Sequence, residues 1–227
     1  DEATERFRRH LKLEPLGFET VVLAAALDRV LADDVLADVD VPGFDRSNVD
    51  GFALLAADTF GATEDAPRHV VRNADLLTPG VVPTTTVRPG EASVIATGAM
   101  LPRGADAVVM IEHTEIVETG GAPRVEVSRA VAPADNVSYS GTDIARGETV
   151  LRAGQLITSR EIGVLAAIGV AEVRVCRRPR VAILSTGDEI VAPGSPLPLG
   201  SIYDSNAAII GAAVAELGGE PVQLGVI

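Results

Sequence analysis

Apolar positions along this chain change their spacing three times, and the changes divide it into parts. Between Thr20 and Leu31, the residues Leu23, Ala26, Leu27, Val30 and Leu31 recur at helical spacing with Asp28 and Arg29 off that face, which predicts a helix. From Val39 to Val131 the pattern shortens to alternating or β-branched runs separated by Pro and Gly, as at 69–73, 92–96, 107–111 and 124–128. Such runs predict a β-rich insert, a small barrel or twisted sheet. Gly120-Gly121 marks a hairpin between 114–118 and 124–128. Helical spacing returns at 159–168, where Thr158 and Glu161 make a capping box and Gly169 stands at the end. A strand at 170–175 and a linker at 177–179 follow.

Beyond the linker the grammar changes again. Residues 180–185 read as a continuous apolar strand of a buried parallel sheet, then come a helix at 207–217 and a strand at 221–227. That is one βαβ unit, and its two strands leave sheet surface without partners, so the chain is expected to stop inside a domain. The fold expected is multidomain, α+β and α/β. A mixed helix/strand linker domain is split between residues 1–38 and 132–178, a β-rich domain is inserted at 39–131, and an α/β domain begins at 179–227.

Composition narrows the classes. With 227 residues and 47% apolar content the chain can bury real cores, and they must be aliphatic because aromatics are 3%. One cysteine, Cys176, excludes an internal disulfide and suits a reducing, cytoplasmic setting. His10, His69 and His113 are scattered and form no zinc pattern with it. No apolar run reaches membrane-spanning length, so no membrane is expected as a partner. A net charge of −13 with no basic run also excludes nucleic acid as the main partner. Lys12 is the only lysine, a bias that a high-salt cytoplasm and a GC-rich genome explain equally well.

Candidate chemistry concentrates in short polar segments. Residues 41–52 place Asp45, Arg46, Ser47, Asn48 and Asp50 on a stretch turned by Pro42, Gly43 and Gly51 and anchored by Val41, Phe44, Val49 and Phe52. Held carboxylates with one guanidinium suit a Mg²⁺-bound or phosphate-bearing small molecule, and a tight turn with Asx caps accounts for the segment equally well. Ser185-Thr186-Gly187-Asp188-Glu189 lies where a parallel strand ends, the place at which open α/β sheets take ligands. Asp204-Ser205-Asn206 precedes a helix and offers more cap oxygens than one helix uses. Thr97-Gly98 and Gly141-Thr142-Asp143 are weak signals alone. No nucleophile dyad, Walker A loop or dinucleotide glycine pattern is present.

Taken together, these segments resemble the molybdopterin molybdenumtransferases, the Mo-insertase (MoeA, gephyrin E-domain) family, over its N-terminal portion. The resemblance rests on Glu19-Thr20-Val21 with Arg29-Val30-Leu31-Ala32, on 40–52, and on Ala96-Thr97-Gly98-Ala99 with Pro102. It continues through 104–109, Gly141-Thr142-Asp143-Ile144, 185–189 and 204–206, in family order. It implies a cytoplasmic enzyme of molybdenum cofactor biosynthesis. The reaction is Mg²⁺-dependent insertion of molybdate into adenylylated molybdopterin with release of AMP. The catalytic positions implied are Asp50, Thr97, Asp143 and Glu189, with Asp50, Asp188 and Glu189 on the metal. Arg46, Ser47, Ser185, Thr186, Gly187, Asp204, Ser205 and Asn206 would contact the substrates. The resemblance also implies a homodimer with a composite cleft, in which Asp50 and Thr97 of one subunit face Glu189 of the other. Many members carry arginines before the glycine that precedes the Asp143 position, where this chain has Ser138, Tyr139 and Ser140. The family's later glycine-rich loop and C-terminal β domain have no counterpart here. A non-catalytic scaffold or molybdopterin-binding module on the same fold is the alternative. Residues 180–227 alone also resemble the related domain of competence-damage-type proteins.

Overall fold

Gly51–Leu54 is buried at all four positions because it pairs on both edges, antiparallel to Glu91–Ile95 and to Ala107–Met110. It belongs to a curled six-stranded sheet whose order is Ala107–Met110, Gly51–Leu54, Glu91–Ile95, Arg68–Leu77, Arg124–Val127 and Thr114–Val117. The period of two sends Phe52 and Leu54 into one apolar cluster, with Val70, Val109 and Val125. Ala53 goes to the other, with Leu77, Ile95 and Val108. The strands expected from alternation are all present, and among the described residues the two outer ones are not paired with each other. The computed structural model describes residues 2–11, 14–118 and 122–227, and the Gly120-Gly121 turn lies outside the described residues. Its flanking strands pair antiparallel, Thr114 opposite Val127 and Val117 opposite Arg124.

The chain divides into two units, Leu36–Glu148 holding this sheet and Asp1–Val35 with Thr149–Ile227 holding the rest. In the second unit Phe18–Val22 pairs antiparallel with Glu172–Cys176 over a core of Ala26, Leu31, Leu151, Ile157, Leu165, Val173 and Val175. The helix expected at 20–31 is absent. Its first residues are strand, Leu23–Ala25 is a single 3-10 turn, and Asp28 takes a φ of 58°, which no right-handed helix accepts. Ladder pairing with Glu172–Cys176 takes residues 20–22, and the amides of Leu23, Asp28 and Leu31 donate to the carbonyls of Ala171, Ile157 and Gln155, so these long-range bonds override the 3.6 spacing. Leu27, assigned to the buried face, is 50% exposed, while the "outer" Arg29 is buried, bonding the Glu19 carboxylate and the Cys176 carbonyl.

The helix Ser159–Ala167 forms as expected, with both capping-box bonds made and Gly169 at a φ of 79°. Arg180–Ser185 and Glu220–Val226 run parallel, joined through the helix Ser205–Glu216. Gly211 is buried in that helix facing Gln223 and Ile183, and a Cβ there would only turn the end of the Gln223 side chain aside. The apolar strand is not buried throughout, since one helix covers one face only; Ile183 is buried and Leu184 is 47% exposed. Among the described residues no helix is long and apolar enough to cross a membrane.

Candidate functional site

Asp50 stands just before Gly51–Leu54, and Thr97 follows the end of Glu91–Ile95; Gly51 pairs with Ile95, so the two arrive at the same end of adjacent strands. The Thr97 amide donates to Asp50 Oδ1 at 2.7 Å and its hydroxyl donates to the same oxygen at 3.0 Å. These bonds, the amide's first, hold the Asp50 carboxyl below the usual aspartate range, so it is ionised at neutral pH. Both side chains are exposed, and Oδ2 takes no hydrogen bond among the described residues. Gly51 is required beside Ala107–Met110, because a Cβ there would lie 1.9 Å from the Val109 carbonyl oxygen.

The stretch before Asp50 is fixed from two sides. Ser47, expected to contact a ligand, is 1% exposed, and its hydroxyl donates to the Val49 carbonyl at 2.6 Å, so it shapes the turn instead. Residues 136–146 lie against 40–48. Val137 and Ser138 pair with Ser47 and Arg46, the Ser138 hydroxyl donates to Asn48 Oδ1 at 2.7 Å, and the Asp143 amide donates to the Val41 carbonyl at 2.9 Å. This brings Asp143 beside Arg46, Oδ2 to the guanidinium at 3.9 Å. Both side chains are well solvated, so the pair contributes orientation more than stability. The structure thus joins Asp50 to Thr97 and Arg46 to Asp143 within one unit.

The remaining expected residues sit in the other unit. Asp204 caps Ser205–Glu216 by accepting from the Ala207 amide at 2.9 Å. The Ser185 hydroxyl and then that amide lower its pKa. Asp204, expected to contact a substrate, thus serves the start of the helix, with Ser185 beside it. Gly187 has a φ of 151°, and a Cβ there would meet Glu189 Oε2 at 2.9 Å, so Glu189 lies over the glycine. Thr186, Asp188, Ser205 and Asn206 are exposed. Among the described residues no three His, Cys, Asp or Glu side chains gather as a metal cage. Asp50, with one oxygen held by Thr97 and the other open, is a hard carboxylate donor of the kind that binds magnesium singly, the rest of the shell being water. Sequence reasoning missed Asp40 and Asp45 as staples. They accept from the amides of Arg146 and Ser140, each at 2.8 Å, and the partners stand 106 and 95 residues away, which no local spacing reveals.

A β-rich unit set into a mixed unit that leads to an α/β turn with an acidic loop defines the class, the front portion of Mo-insertase-type proteins. A family described as the MoeA N-terminal region (domain I and II) matches residues 1–169, and the chain belongs to it. The chain is 41% identical over 199 residues to molybdopterin molybdenumtransferase 2 of Mycobacterium tuberculosis, covering 88% of this chain and 48% of that one. It is 41% identical over 210 residues to the molybdopterin molybdenumtransferase of Bacillus subtilis, covering 92% and 48%. The crystal structure of the molybdopterin biosynthesis MoeA protein from Pyrococcus horikoshii superposes with a TM-score of 0.85 at 37% identity, covering 99% of this chain and 56% of that one. The chain spans about half the length of the curated relatives it matches.

Proposed function

We propose that this chain works as part of a molybdopterin molybdenumtransferase of molybdenum cofactor biosynthesis, inserting molybdate into adenylylated molybdopterin and releasing AMP. The observation that carries the reading is the Asp50–Thr97 pair: an exposed, ionised carboxylate held by two bonds on one oxygen and open on the other. A scaffold needs the sheet beneath it but gains nothing from this pair. Magnesium, held by Asp50 and by Asp188 and Glu189, would neutralise the pyrophosphate that links molybdopterin to AMP. Arg46, oriented by Asp143, is the positive donor toward the anionic substrates. Thr186, Gly187, Ser205 and Asn206 belong with the phosphate-bearing end, beside the start of Ser205–Glu216. The reading takes residues 179–227 as the beginning of the molybdopterin-binding α/β domain. It takes a cytoplasmic homodimer as the working form, with Asp50 and Glu189 acting from different subunits.

The test uses the complete gene product with adenylylated molybdopterin, molybdate and Mg²⁺, following AMP release. D50A and E189A should each lose at least about a hundredfold in turnover while still unfolding in a cooperative transition. Full turnover in both variants would sink the site. Mixed dimers made from the two inactive chains should recover roughly a quarter of normal activity, because half the dimers would hold one intact composite site. No recovery would argue against the shared arrangement and leave the single-variant result standing.

A further inference from the structure

Residues 45–47 run between the loop that carries Thr97 and the loop that carries Asp143. On one side the Ser47 amide donates to the Ala99 carbonyl at 3.0 Å, the Gly98 amide to the Ser47 carbonyl at 2.8 Å, and the Leu101 amide to the Asp45 carbonyl at 2.8 Å. On the other side Ser47 and Arg46 pair with Val137 and Ser138, and the Ser140 amide donates to Asp45 Oδ1 at 2.8 Å. Asp45 therefore serves the Thr97 loop through its main chain and the Asp143 loop through its side chain. Its acceptor bond comes just before Gly141, which takes a φ of 74° and whose amide donates to the Pro42 carbonyl at 2.9 Å. Past that glycine the amides of Asp143 and Ile144 donate to the Val41 carbonyl, and Asp40 accepts from the Arg146 amide.

We infer that Asp45 is a positioning residue for the transferase reaction, setting Asp143 and its Arg46 partner in register with the Asp50–Thr97 pair. This rests on the proposed function, in which Asp143 and Asp50 act on the same substrates. A side-chain oxygen that accepts from a backbone amide 95 residues away ties the two loops at a fixed spacing, and an amide oxygen at the same position can make the same bond. Asp45 itself is turned to the Ser140 amide and takes no part in the chemistry.

The experiment compares D45A, D45N, D143A and the double variant D45A/D143A. Amide hydrogen exchange is measured on this chain, and turnover is measured in the complete protein. D45N keeps a carbonyl oxygen for the Ser140 amide; D45A does not. In D45A the amides of residues 140–143 should exchange faster while those of Gly51–Leu54 stay protected, and turnover should fall roughly tenfold through kcat with KM little changed. D45N should restore both, and D45A/D143A should be no slower than D143A alone. Losses that multiply in the double variant would overturn the inference, as would normal turnover in D45A. Faster exchange through the whole sheet, or a D45A chain that does not fold, would equally overturn it, since Asp45 would then be a folding residue. Normal turnover in D143A overturns the reading of Asp143, whatever the exchange data say about Asp45.

Discussion

Asp50 has two bonds to one oxygen, and they are not equal. The Thr97 amide contributes more to lowering its pKa than the hydroxyl does. Thr97→Val deletes the hydroxyl and keeps the amide, so the Asp50 midpoint should rise only part of the way toward the ordinary aspartate value near 4. A carboxyl ¹³C titration of the two chains measures it; a T97V midpoint at the ordinary value would mean that the hydroxyl, not the backbone, holds the charge. The sign for stability follows from the depressed value. The contribution of Asp50 is complete above the unfolded pKa and disappears as pH falls through the lower folded one. Unfolding midpoints should thus be insensitive to this group from pH 7 down to about 5, and acid should remove its contribution only below that. The chemistry of this pair was only half visible in the sequence. Asp50 stood out by its neighbours Pro42, Gly43 and Gly51, but Thr97 looked weak because its partner lies 47 positions away.

At the scale of the element, local rules succeeded where bonds close within a few residues. Thr158 and Glu161 meet across three positions, and the helix Ser159–Ala167 starts where the capping box places it. Thr158→Ala should therefore destabilise the protein by about 1 kcal/mol in urea unfolding, the usual cost of a lost N-cap. Thr158→Ser keeps the hydroxyl and should recover most of it; equal losses in both variants would show that the methyl group's packing mattered and the cap did not. The same spacing logic failed at 20–31, because 3.6 periodicity and a strand followed by a tight turn bury overlapping sets of residues. Only pairing with Glu172–Cys176, about 150 positions later in the chain, distinguishes them. Asp28 gave no warning, since a positive φ in an aspartate is a consequence of the turn and not a signal for it.

For the whole molecule, the question is how a β unit of this size interrupts another fold without spoiling it. The ends of Leu36–Glu148 meet: the Ala37 amide donates to the Glu148 carbonyl at 2.9 Å, and the Gly147 amide to the Ala37 carbonyl at 2.7 Å. The chain leaves and re-enters the other unit at one point, so the insertion costs that unit no more loop closure than a short turn would. Each unit also has its own apolar clusters. Phe52, Leu54, Val109 and Val125, with Ala53, Ile95 and Val108, are confined to the insert; Leu31, Ile157, Leu165 and Val175 are confined to its host. Both halves of that separation are testable by cutting. A fragment of residues 36–148 should fold alone, with dispersed methyl signals from the buried valines and a cooperative denaturant transition. The complementary chain, with Val35 joined to Thr149 through a short glycine linker, should keep the amide protection of Phe18–Val22 and Glu172–Cys176, whose pairing never involves the insert. An unfolded insert beside an intact host would mean that the sheet needs contacts its own clusters do not supply. If both pieces fold, residues 40–48 and 136–146 remain on the isolated insert, and the Asp50 titration measured there should match that of the full chain.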